Sequence, residues 1–298
     1  MNPLFLQKND EIRIISPSGS IDPIYIDGAV HVLTEWGYTP TEGKYAREKH
    51  GRFAGTPEQR LVDLQEALDS PYVKAILCSR GGYGLAQIID KIDFTLFRQH
   101  PKWIIGFSDV TALHAAASHT GIMSIHGIMA KHLTELSDSD EAVRLLKGIL
   151  SGNLPAYSLP SHPLNIGGQA EGVIIGGNLS VLAGLRTTPF DYDYRDKILF
   201  IEDIGEAPYC VDRMMQNLRL SGILSHISGL IVGQFSDAEE DPLMNGTVYE
   251  NIRHIALEYH IPVCFDFPVG HVDYNLPVII NANVKLSITN EKTVLSYK

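Results

Sequence analysis

Residues 73–84 read VKAILCSRGGYG. Val73 to Cys78 form a largely apolar run that ends at once in a turn holding three glycines, Gly81, Gly82 and Gly84. An apolar run of that length bounded by glycine reads as a strand buried on both faces. The pattern recurs on either side. WIIGF at 103–107 runs into Ser108-Asp109 and a helical pattern over about 110–118, and EIRIIS at 11–16 stops at Pro17-Ser18-Gly19-Ser20. Between them lie a helical pattern from Ile24 to Trp36, closed by Gly37, and one from Thr56 to about Asp69. Thr56 stands as N-cap, Pro57 takes the first helical position, and Gln59 is placed to close a capping box. A further short strand is expected at 123–126. Short strands alternating with helices predict an α/β fold in this half: a parallel sheet with helices on both faces and ligands at the carboxyl ends of the strands. The turns after residues 16, 78 and 107 all fall at such ends.

The second half is richer in strands, expected at 171–175, 198–201, 229–235, 262–267 and 278–288, with helices at 178–185 and 208–220, the latter stopped by Gly222. VKLSI and VLSY alternate around Asn290-Glu291-Lys292 like an antiparallel hairpin. Residues 151–168, SGNLPAYSLPSHPLNIGG, carry three prolines and no apolar period, which reads as a linker. The expected organisation is an α/β domain over 1–150, a linker over 151–168, and a smaller β-rich domain over 169–298.

Composition narrows the function. The 298 residues include 24 Lys+Arg against 35 Asp+Glu, a net charge of −11, which argues against a general nucleic-acid binder because phosphate neutralisation needs a basic face. With 44% hydrophobic residues the chain is globular in composition. No stretch approaches the roughly 20 apolar residues of a membrane span, and MNPLFLQKND is too short in apolar residues for a signal-peptide core. Cys78, Cys210 and Cys264 are odd in number and far apart, so neither a disulfide framework nor a cysteine zinc site is expected. A protein of the reducing cytoplasm, without membrane partner or nucleic acid, follows as the expectation.

Four segments carry groups for chemistry. Ser108 sits where a strand turns into a helix, so its hydroxyl can project from a tight turn with the Asp109 amide facing the same space; the segment is not GxSxG, and taken alone it reads first as a Ser or Asp capping the next helix. Arg80-Gly81-Gly82-Tyr83-Gly84 lets backbone N–H groups approach a ligand but matches no nucleotide-phosphate loop. Glu202, Asp203 and Glu206 follow an apolar strand, where a carboxylate can orient a histidine, act in a pair as acid and base, bind a divalent metal, or be solvated. His271, in Pro268-Val269-Gly270-His271, is a reasonable general base. His114, His119, His126 and His132 are dense, but no HExxH occurs and His114 and His119 fall on different helix faces, so no metal and no cofactor are expected.

Together, the PSGS turn, RGGYG, GFSD followed by VTALH, GGNLSVLAGL, FIEDIGEAPYCVDRMMQNL and PVGH resemble the serine LD-carboxypeptidase family, the muramoyltetrapeptide carboxypeptidases, over nearly the whole chain. The resemblance implies Ser108 as nucleophile, Glu202 as triad carboxylate and His271 as triad base, with the backbone amides of Asp109 and Gly82 as oxyanion donors. It implies a homodimer that removes the terminal D-alanine from an L-centred diamino acid in murein tetrapeptides, a small-peptide substrate of cell-wall recycling. Arg80, Gly81 and Tyr83 are expected to contact that substrate. Arg80 is read as the grip on its terminal carboxylate or, alternatively, as a structural partner of Glu202 or Asp109. One sub-group of the family hydrolyses microcin-type peptide–nucleotide conjugates. A non-enzymatic α/β protein using RGGYG for an anion is the rival from another class.

Overall fold

The computed structural model describes residues 3–239 and 241–298. Contacts group the chain into two compact units: the chain up to Leu154 together with Leu276–Ile279, and Pro155–Asn275 together with Ile280–Lys298.

The first unit runs β1 (Glu11–Ile15), α1 (Pro23–Glu35), β2 (Thr39–Glu42), α2 (Pro57–Asp69), β3 (Val73–Cys78), α3 (Thr95–Gln99), β4 (Trp103–Gly106), α4 (Thr111–Ser118), β5 (Ser124–His126), α5 (Ala130–Glu135) and α6 (Glu141–Leu150). Its sheet has the order β5-β4-β3-β1-β2, every pair parallel, with Val278–Ile280 added beside β5. Successive residues of β3 and β4 are buried alike: Ile76, Leu77, Ile104 and Ile105 all lie at 1% exposure or less. Burial on both faces requires cover on both, as expected of a doubly wound sheet. α2 opens as its sequence predicts, with Thr56 Oγ1 accepting from the Gln59 amide and Gln59 Oε1 accepting from the Thr56 amide at 2.8 Å.

The second unit contains β6 (Ala156–Pro160), β7 (Gly168–Asn178), α7 (Leu179–Leu185), β8 (Lys197–Ile204), α8 (Pro208–Leu220), β9 (Gly229–Ser236), α9 (Val248–Ala256) and β10 (Val263–Cys264). After β11 (Val278–Ile280), the segment that joins the first sheet, it closes with β12 (Asn283–Ile288) and β13 (Lys292–Tyr297). Its sheet has the order β10-β9-β8-β7-β12-β13-β6. The β10–β9–β8–β7 half is parallel and the β7–β12–β13–β6 half antiparallel. The hairpin read around residues 290–292 is β12–β13.

Three sequence expectations change. Residues 151–168 are not simply a linker: Ala156–Pro160 pairs with β13 as the edge strand β6, where prolines are tolerated because one side of the ladder is unused. The single strand read over 278–288 is two strands in two sheets, separated at Asn281, whose φ of +65° turns the chain. Of residues 262–267 only Val263–Cys264 form a regular strand; the chain bends at Asp266, at φ +59°, and the Phe267 amide returns to the Val232 carbonyl at 3.1 Å. β2, α3, α5, α6 and α9 had no expectation at all.

Candidate active site

Ser108 stands where β4 turns into α4. Phe107 is extended, Ser108 takes a φ of +64°, and the Val110 amide returns to the Phe107 carbonyl at 3.3 Å. A left-handed serine costs about 1–3 kcal/mol and is held only where the surroundings over-determine it. The surroundings here are the RGGYG turn. A Cβ on Gly81 would lie 2.7 Å from the Ser108 Cβ and 3.0 Å from its Oγ, so glycine is required at the point of closest approach. The Gly81 carbonyl in turn accepts from the Gly19 amide at 3.1 Å, which ties the PSGS turn to the same place. Gly82 is left-handed at φ +106°. Arg80 is exposed and donates to the Ser20 carbonyl at 3.1 Å; among the described residues it forms no ion pair. Neither Asp109 nor Glu202 is its partner. Tyr83 is half-exposed, its ring 6.0 Å from that of Phe53.

The second unit builds a carboxylate–histidine pair. The β8–β9 ladder slips between Ile201↔Val232 and Asp203↔Phe235, so Glu202 faces two residues, Gly233 and Gln234. Glu202 is fully buried, and its Oε2 lies 2.8 Å from His271 Nδ1. An ionised carboxylate only accepts, so Nδ1 carries the proton and Nε2 is the basic nitrogen of the neutral ring. The loop bearing His271 reaches this depth through Gly270, at φ +135°, where a Cβ would come within 3.1 Å of Glu202 Oε2. The Gly270 amide is held by Asn275 Oδ1 at 3.0 Å.

The other two carboxylates of the FIEDIGE segment separate from Glu202. Asp203 accepts from Asn178 Nδ2 and from the Ser180 amide, both at 2.8 Å, fixing the first turn of α7; burial pushes its carboxyl up to about 6. Glu206 is only partly exposed and lies beyond the strand.

The histidines divide differently from a metal site. His114 is fully buried, with Nε2 2.8 Å from the Gly106 carbonyl and Nδ1 2.8 Å from Ser124 Oγ. The carbonyl can only accept, so Nε2 carries the proton and Ser124 donates to Nδ1. Burial lowers this imidazole to about 4 and keeps it neutral. His132 and His126 lie against the ring of Phe107. Among the described residues no three His, Cys, Asp or Glu side chains gather as a metal-ligand set, and no helix is long and apolar enough to cross a membrane.

Sequence reading missed Arg60 and Asn275, and the side-chain bonds of Asp109, all of which shape these turns. Arg60, buried in α2, donates to the Pro17 carbonyl at 3.0 Å and the Gly84 carbonyl at 2.8 Å. Its only sequence signal is its phase, on the stripe continued by Leu64, Ala67 and Leu68. The Asp109 side chain caps no helix; it accepts from Ser18 and Leu85. Asn275 gives no local signal, because its partner is chosen by the return of the loop.

Comparison with known proteins identifies the family. Residues 12–127 match the LD-carboxypeptidase N-terminal domain and residues 171–286 the LD-carboxypeptidase C-terminal domain. A probable murein peptide carboxypeptidase of Bacillus subtilis (strain 168) is 36% identical over 98% of this chain and 93% of its own length. The muramoyltetrapeptide carboxypeptidase from Oxalobacter formigenes superposes with a TM-score of 0.88 at 29% identity, covering 96% of this chain and 98% of its own. An MccF-like protein from Bacillus anthracis str. Ames superposes with a TM-score of 0.85 at 26% identity, over 99% of both chains. With both domain models matched in order and relatives similar end to end, the chain belongs to the LD-carboxypeptidase family.

Proposed function

We propose that the protein is a serine carboxypeptidase that removes the terminal D-alanine from murein tetrapeptides, cutting after an L-centred diamino acid. The observation that carries this reading is the buried Glu202–His271 pair at 2.8 Å, together with the strained Ser108 turn, in a chain of this family. A serine hydroxyl is a poor nucleophile at neutral pH and needs a base. His271 takes the Ser108 proton as Oγ attacks the carbonyl carbon, and the amides of Asp109 and Gly82 receive the oxyanion. His271 then gives that proton to the departing amine as the C–N bond breaks, and water hydrolyses the acyl-serine by the reverse sequence. Glu202 holds the ring tautomer and stabilises the imidazolium. Arg80 supports recognition of the free terminal carboxylate, as an exposed guanidinium without a carboxylate partner among the described residues, with Gly81 and Tyr83 beside it. A cytoplasmic homodimer completes the reading on family resemblance.

The test is incubation with a defined tetrapeptide panel and mass analysis of the products. Release of D-alanine with formation of tripeptide is expected, and it should vanish in Ser108→Ala. A second reading, hydrolysis of a peptide–nucleotide conjugate, is favoured by the MccF-like match; a conjugate in the same panel decides between them. A fluorophosphonate, which loses fluoride as Ser108 Oγ bonds to phosphorus, separates either enzyme from a pure binder.

A further inference from the structure

We infer that the side chain of Asp109 is a positioning residue for catalysis, fixing the glycine turn against Ser108 so that oxyanion donors are in place before the substrate arrives. Three strand-end turns meet at this one buried carboxylate. Asp109 belongs to the turn after β4 and is 4% exposed. Its Oδ2 accepts from Ser18 Oγ at 2.6 Å, in the turn after β1. The same oxygen accepts from the Leu85 amide at 3.0 Å, directly after the RGGYG turn that follows β3. A parallel tie closes the far side: Arg60 bonds the Pro17 and Gly84 carbonyls and, through Nη2, Gln87 Oε1 at 2.6 Å. The turns after β1 and β3 are thus joined through Arg60 and through the Gly19 amide on the Gly81 carbonyl, and the turn after β4 joins both of them through Asp109.

The energetic logic follows from the strain. Gly81 sits so close to Ser108 that no Cβ fits, and Ser108 itself is left-handed. Turns at strand ends relax readily, and a drift of about 1 Å between donor and oxyanion can cost on the order of 100-fold in rate. A buried carboxylate that binds both neighbouring turns removes that freedom in advance, which is the preorganisation oxyanion stabilisation needs. Asp109 would therefore act through its backbone amide as a donor and through its side chain as the spacer. The inference rests on Ser108 being the nucleophile.

The test uses the full-length protein with Asp109→Ala, Asp109→Asn and Ser18→Ala. Both hydrogen bonds fall on one oxygen, so asparagine can keep both through Oδ1 while alanine keeps neither. Asp109→Ala should lose kcat on the order of 10- to 100-fold with KM nearly unchanged, because the effect is confined to the transition state. A peptide boronic acid, which forms a tetrahedral adduct on Ser108, should lose affinity in step with kcat, while the product tripeptide binds as before. Asp109→Asn should recover most of the loss, and Ser18→Ala should show a smaller loss of the same kind. Equal losses for boronate and product would overturn the inference, as would an asparagine variant as impaired as alanine at wild-type melting temperature. If Asp109→Ala does not fold, the Ser18→Ala comparison alone carries the test, and an unchanged kcat there sinks the idea. A wild-type protein that no fluorophosphonate labels at Ser108 would instead refute the nucleophile assignment, a distinct result.

Discussion

Glu202 lies entirely inside the second sheet yet holds His271 Nδ1 at 2.8 Å, so the only proton position compatible with an ionised carboxylate is on Nδ1. The pair is reached from two directions: Glu202 from a bulged β8–β9 register, His271 from a loop that passes over it at Gly270. This geometry makes Glu202→Gln a sharp probe. Glutamine keeps the volume, but its amide can donate to Nδ1 and stabilise the wrong tautomer. A loss in kcat on the order of 10³-fold or more is expected, with near-normal melting. Steady-state kinetics showing under 10-fold loss would remove Glu202 from the mechanism.

Ser108 and His271 should act as a unit. Each alanine variant is expected to lose on the order of 10³-fold or more, and the double variant about as much as either alone. Multiplicative losses in the double variant would mean that the two residues contribute independently, contrary to the assignment.

Arg80 tests carboxylate recognition. Arg80→Lys keeps the charge and loses the two-pronged donor. The preference for a free C-terminal tetrapeptide over its amide should shrink by about 1–3 kcal/mol in kcat/KM. Unchanged preference in a folded variant would assign the carboxylate to other donors.

His114 sets a pH dependence of stability. Its folded value near 4 lies below the usual 6.5, so between those values the unfolded chain binds more protons and acid favours unfolding. Stability tied to His114 is complete above about pH 6.5 and drains away as pH falls toward 4. Wild type should therefore lose roughly 3 kcal/mol more than His114→Gln over that window. Asp63 and Asp203, both pushed up to about 6 by burial, act in the opposite sense but are common to both proteins. Urea titrations at pH 7 and 4.5 measure the difference; parallel curves would refute a buried neutral His114.

Local signals in the sequence determined β1, β3, β4 and β5 of the first sheet and pointed to the candidate reactive groups. Apolar runs of strand length, the Thr56–Gln59 capping box and the helix over 208–220 are written in adjacent residues, and the structure follows them closely. The motif order carried Ser108, Glu202 and His271 to strand ends and loops, where such groups are expected. Tertiary structure alone decided the rest. Only the fold could bury the cations Arg60 and Lys102, because each donates to carbonyls at the ends of other elements: Pro17 and Gly84 for one, Ala67, Leu68 and Ser70 for the other. Only the fold could break 278–288 between two sheets, because the choice of partner strand on either side of Asn281 is not local. Glu202 and Asp203 are neighbours on β8 whose side chains alternate across the sheet, and the fold alone chose their partners: His271 for one and the start of α7 for the other.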